Sequence, residues 1–146
     1  MKMKSRKSGF TLVELMIVAI IVAILAAVAI PLMGTNKKRA MMTEAEAGLG
    51  MLRSSLRTLY AESGAYNKDR NGNAIVAGSI TNIPGVSTND IAGRWFDGSA
   101  YDLQLVASNS YTVRCQGDNS STANKADVAG LSVTLQQDGT FTRTGY

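Results

Sequence analysis

The 146-residue chain has room for one apolar anchor helix and one small globular domain. It carries no histidine and a single cysteine, Cys115, which excludes histidine-based triads, His-ligated zinc and an intramolecular disulfide. Its formal charge of +4 suggests nucleic acid, but Lys2, Lys4, Arg6 and Lys7 are four of the 15 bases, and removal of the leader that holds them, expected below, leaves 11 against 11 acids and no broad electrostatic footprint.

Residues 5–33, SRKSGFTLVELMIVAIIVAILAAVAIPLM, organise everything that follows. A basic leader ends at Ser8-Gly9, and an apolar run begins with a carboxylate, Glu14, near its start. From Leu15 to Met33 there are 19 residues without a charge. As a helix they reach about 28 Å, close to the hydrocarbon thickness of a bilayer. An acid inside such a segment is costly and marks a functional candidate; near one end the cost is smaller, yet a partner is still needed. Cutting between Gly9 and Phe10 supplies one, because the new amine lies one helical turn before Glu14. An ordinary secretory signal places its apolar region ahead of the cleavage site, whereas here the small-residue site comes first. Leu25-Ala26-Ala27 keeps the ordinary signal-peptide alternative open.

Gly9, Phe10, Thr11, Leu12, Val13 and Glu14, with the apolar run and Pro31 behind them, resemble the processing site of type IV pilins and the related type II secretion pseudopilins. The resemblance covers residues 5–35 and is only an outline beyond them. It implies that a prepilin peptidase removes residues 1–9 by cutting after Gly9 and that Phe10 becomes N-methylated. It implies further that Glu14 pairs with the N-terminal amine of a neighbouring subunit during assembly. The expected fold is α+β and pilin-like. A long N-terminal helix, membrane-spanning in its first half and amphipathic in its second, packs against a small antiparallel sheet of about four strands.

Pro31 cannot donate to the carbonyl of Ala27, so a kink is expected there. The resemblance adds a local loosening of the helix during assembly, although no glycine lies between Phe10 and Pro31 to help it. Lys37, Lys38 and Arg39 follow the span. Four bases before it and three after mildly favour a cytoplasmic leader. The second cluster either reaches headgroups or pairs with Glu44 or Glu46 of a neighbour.

Ala45, Leu49, Leu52, Leu56 and Leu59 recur at helical spacing and form the stripe on which a sheet packs. Gly48 and Gly50 weaken this helix or permit close packing between helices. Ser63-Gly64 ends it. The domains expected are thus residues 1–9, the leader; 10–34, the transmembrane or filament-core half; 35–62, the amphipathic half; 63–98, a loop; and 99–146, the sheet.

Residues 64–98 are rich in turn formers, with Ile75, Val76, Ile80, Ile83 and Ile91 as apolar anchors and an exposed filament face as the expected role. Tyr101–Val106 and Tyr111–Cys115 predict a hairpin, Gly117–Asp127 a polar loop, and Leu131–Gln136 and Thr140–Thr144 a second hairpin around Asp138-Gly139. Cys115 reads as a core residue. Asp118, Asp127 and Asp138 fit no EF-hand loop, and no phosphate loop or dinucleotide fingerprint occurs. No cofactor, metal or catalytic residue is therefore expected.

The function expected is a structural filament subunit, not an enzyme. The protein sits in the inner membrane with its N-terminus cytoplasmic, then moves into a pilus at the cell surface or a periplasmic filament. Its partners are copies of itself and, by resemblance, the prepilin peptidase, a platform protein and an assembly ATPase. The alternative is a pseudopilin of a type II secretion system. A DNA-uptake pilin has only Lys68 and Arg70 behind it, so nucleic acid is an unlikely partner. Tyr60, Tyr66, Trp95, Phe96 and Tyr101 are scattered in sequence and show no stacked series.

Overall fold

A computed structural model describes residues 9–145. One helix, α1 (Leu12–Ser63), dominates the element order and runs without a break through Pro31. The helix assignment therefore continues where a proline kink was expected, with no unwound turn ahead of it. The chain separates into two compact units, one ending at Asn36 and the other beginning at Lys37.

In the first unit α1 is long and apolar enough to cross a membrane. Large side chains from Phe10 to Met33, among them Leu15, Ile20, Leu25 and Ile30, are exposed. A helix apolar on every side cannot be the surface helix of a water-soluble domain, which keeps a polar face.

The second unit holds a five-stranded sheet in the order β1-β2-β3-β4-β5, every neighbouring pair antiparallel. The strands are β1 (Gly78–Ser79), β2 (Tyr101–Val106), β3 (Tyr111–Gln116), β4 (Ser132–Gln136) and β5 (Phe141–Thr144). Four of these are the strands anticipated from alternation. The fifth, β1, is a two-residue edge pairing with Leu103 and Asp102, too short and too glycine-rich to carry a periodic signal. Between β3 and β4, a short helix α2 (Lys125–Val128) interrupts the expected polar loop.

The helical stripe of Ala45, Leu49, Leu52, Leu56 and Leu59 is buried in one core with Leu103, Tyr111, Val113, Cys115, Val133 and Leu135 from the sheet. Full burial contributes roughly 1.5–3 kcal/mol per large side chain as an upper value. A register shift between Leu103 and Leu105 breaks the alternation in β2. Leu105 is consequently exposed although it stands two residues beyond a core leucine. Gly64 closes α1 with φ +73°, its N–H donating to the carbonyl of Tyr60 at 2.8 Å, the left-handed cap anticipated for this position.

The stretch between α1 and β2 is tied down at several points. Ile75, Ile80, Ile83, Ile91 and Phe96 enter the core, while Val76 remains exposed. The Asp69 carboxylate accepts from the backbone N–H of Asn71 and of Asn73, both at 2.8 Å, and closes a turn around Gly72. Those bonds, led by that from the Asn73 side chain, hold Asp69 below its ordinary carboxylate range.

Candidate functional site

Gly9, Phe10 and Thr11 lie ahead of the first turn of α1 in non-helical, exposed backbone. The Gly9–Phe10 bond is thus open to solvent. Nothing stands within 4 Å of where a Cβ on Gly9 would be, so packing in this chain does not demand a glycine there.

Glu14 already has a partner before any cut. The Glu14 carboxylate Oε2 accepts from the backbone N–H of Thr11 at 2.8 Å and from its hydroxyl at 2.8 Å. In return the Glu14 backbone N–H donates to Thr11 Oγ1 at 3.2 Å. Thr11 and Glu14 form a reciprocal capping box that satisfies orphan donors at the start of the helix. The Thr-x-x-Glu spacing ahead of an apolar run signals this motif, and reading Glu14 only as a charge awaiting an amine misses it. Pro31 sits inside α1 and is brought to no other candidate residue.

Lys37 and Lys38 after the span and the acids Glu44 and Glu46 beyond them are engaged within the same chain. Lys37 pairs with Asp127 at 2.7 Å, and its ammonium also lies 5.1 Å from the centre of the Trp95 ring, which Arg94 approaches at 5.0 Å. Lys38 donates to the carbonyl of Gly145 at 3.2 Å. Glu46 pairs with Arg143. Glu44 accepts backbone N–H groups from Arg94 at 3.2 Å, Trp95 at 2.7 Å and Phe96 at 2.9 Å. Pairing of Glu44 or Glu46 with a neighbour's lysines is therefore not needed to explain either acid.

Among the described residues no three acids or thiols converge as metal ligands. Asp118 accepts from the Gly130 backbone, Asp127 pairs with Lys37, and Asp138 accepts from the Thr140 backbone. The aromatic side chains are less scattered than their sequence positions suggest. Tyr60, Tyr66 and Tyr111 form a continuous cluster, with ring centres 4.6 and 4.8 Å apart.

The chain thus joins an exposed Gly9–Phe10 bond and a capped acid one turn on to a long apolar helix and an α+β domain. A family model described as the prokaryotic N-terminal methylation motif matches residues 4–30. Over 62 residues the chain is 40% identical to the type IV major pilin protein PilA of Myxococcus xanthus (strain DK1622), a match covering 42% of this chain and 28% of that protein. It is 34% identical over 74 residues to the fimbrial protein EcpB of Eikenella corrodens, covering 51% and 46% respectively. It is 40% identical over 67 residues to the type IV major fimbrial protein FimA of Dichelobacter nodosus, covering 46% and 42%. The chain thus spans less than half the length of each of these relatives. No solved structure matches it. Motif, helix and relatives together support a type IV pilin family protein.

Proposed function

We propose that the protein is the structural subunit of a type IV pilus-like filament. The carrying observation is the Thr11–Glu14 cap set beside the exposed Gly9–Phe10 bond. In this reading a prepilin peptidase cuts after Gly9, whose lack of a side chain serves the enzyme because nothing in this chain requires it. Phe10 is then N-methylated, and its amine meets the Glu14 carboxylate of an adjacent copy. Residues 10–34 exchange lipid for neighbouring helices, and residues 35–62 hold the head, made of residues 63–98 and the sheet of residues 99–146. Pro31 supplies a point where the helix yields as the subunit leaves the inner membrane. The platform protein and assembly ATPase are the machinery such a step requires.

The names of the three relatives favour a pilus over the secretion pseudopilus. A nucleic-acid role draws little support from Lys68 and Arg70, which are exposed with Asp69 between them. Phenotype separates the two filament types: deletion removes visible fibres if the protein builds a pilus, and traps exported proteins in the periplasm if it builds a pseudopilus.

The test of the core mechanism is Glu14→Ala in the native host. Mass spectrometry of the product is expected to give a chain beginning at methylated Phe10, while electron microscopy of sheared surface material finds no filaments. Filaments of normal number and length from this variant would rule out the Glu14–amine pairing.

A further inference from the structure

Away from the N-terminal site, the head contains a cleft lined by two arginines and one carboxylate. Arg53 and Arg57, one turn apart on α1, line a space of about 530 Å³ with Tyr60, Tyr66, Gln137 and Asp138. Among the described residues neither guanidinium comes within ion-pair distance of a carboxylate. The Nε of Arg53 is buried without a hydrogen-bond acceptor. The buried Tyr111 hydroxyl belongs to the same neighbourhood, since the Arg53 side chain acts on it.

A buried donor left without an acceptor is costly, and native proteins rarely leave one. Asp138 does not fill the role. Its carboxylate accepts from the Thr140 backbone at 2.8 Å, and the Arg53 charge reaches it without a salt bridge among the described residues. Two guanidiniums against this one carboxylate leave the lining net positive. The Tyr60 and Tyr66 rings, 4.6 Å apart, add an aromatic wall beside the charge.

We propose that this cleft binds a small oxyanion, carboxylate or phosphate, held by the guanidiniums of Arg53 and Arg57 with the body of the ligand against Tyr60. The planar fork of arginine matches two oxygens of either group, and a tyrosine face accepts the apolar side of a ring. The site lies wholly in the second unit and does not depend on filament assembly.

The test uses the full chain, ¹⁵N-labelled in detergent micelles, with the arginine Nε–H signals followed by NMR. Inorganic phosphate and glucuronate are titrated separately at constant ionic strength set with chloride. The Arg53 Nε–H signal is expected to shift and saturate with at least one of them; the one that saturates it identifies a phosphate or a sugar acid as the ligand class. Arg57→Gln, at an exposed position that the fold does not need, is expected to weaken that binding about tenfold. Arg70→Gln, the same charge change at an exposed residue outside the lining of the cleft, leaves it unaltered. Arg53→Gln is expected to abolish binding, and Arg57→Gln decides the matter if that variant does not fold. No saturable shift with either probe, or equal binding by wild type and Arg57→Gln, would overturn the proposal.

Discussion

The ring of Tyr101 lies so close to the α1 backbone at Gly48 that a Cβ there would overlap the ring carbons and the hydroxyl. Tyr101 is 2% exposed, packed in the core between helix and sheet. Gly48 therefore serves contact between helix and sheet, where sequence alone suggested packing between helices. Gly50, two residues on, is exposed with nothing within 4 Å of an added Cβ.

Opposite signs are expected from the same substitution at these two glycines. Gly48→Ala gains about 1 kcal/mol of helix propensity but overpacks the core by about 1–3 kcal/mol, a net loss of up to about 2 kcal/mol. Gly50→Ala collects only the gain, up to about 1 kcal/mol. Thermal melts of the full chain in detergent decide it, since equal shifts for the two variants would mean that the Tyr101 contact has no weight.

Glu44 anchors the stretch ahead of β2 by accepting from three consecutive residues, Arg94, Trp95 and Phe96. Glu44→Ala leaves the partly buried amides of Trp95 and Phe96 unsatisfied and is expected to cost about 1–3 kcal/mol. Glu44→Gln keeps one oxygen as acceptor and is expected to fall between wild type and alanine. Hydrogen exchange at the three amides is the direct measurement. Unchanged protection in Glu44→Ala would show that the loop is held by other contacts.

Alkali is expected to weaken the head through Cys115 and Tyr101. Burial pushes the Cys115 thiol above its ordinary 9.0 and the Tyr101 hydroxyl above its ordinary 10.0. The folded state then holds both protons more tightly than the unfolded chain does. Their stabilising effect is complete below the ordinary values and is lost as pH rises beyond them towards the folded ones. Stability, measured by denaturation between pH 7 and 11 in the presence of a reductant, is expected to fall less steeply for Cys115→Ala than for wild type. Parallel curves would mean that the thiol does not take part.

What the sequence made legible was whatever depends on local periodicity. The stripe from Ala45 to Leu59 and the four longer strands follow from spacings of 3.6 and 2, and Gly64 and Gly139 punctuate them with positive φ. What it hid depends on groups that carry no residue signature. The donors to Glu44 are backbone amides some fifty residues away. The shift beside Leu103 exposes Leu105 without any change in composition. Tyr60, Tyr66 and Tyr111 meet only because the sheet returns to the helix. At the candidate site the omission was of another kind, because the Thr11–Glu14 spacing was visible but the charge of Glu14 drew attention to a distant partner.

That double character of Glu14 can be separated by substitution. A capping box accepts glutamine at the position of the acid, since an amide oxygen still receives the Thr11 N–H. Glu14→Gln is therefore expected to keep the helix start intact while losing the charge available to a neighbour's amine. Thr11→Ala does the reverse: it costs about 1 kcal/mol at the cap and leaves the carboxylate in place. Hydrogen exchange at the first turn of α1, measured in micelles, is expected to rise for Thr11→Ala and to stay near wild type for Glu14→Gln. Filament yield is expected to rank the two the other way, with Glu14→Gln the more defective. If Glu14→Gln assembles as well as wild type while Thr11→Ala does not, the acid matters as a cap and its charge is dispensable.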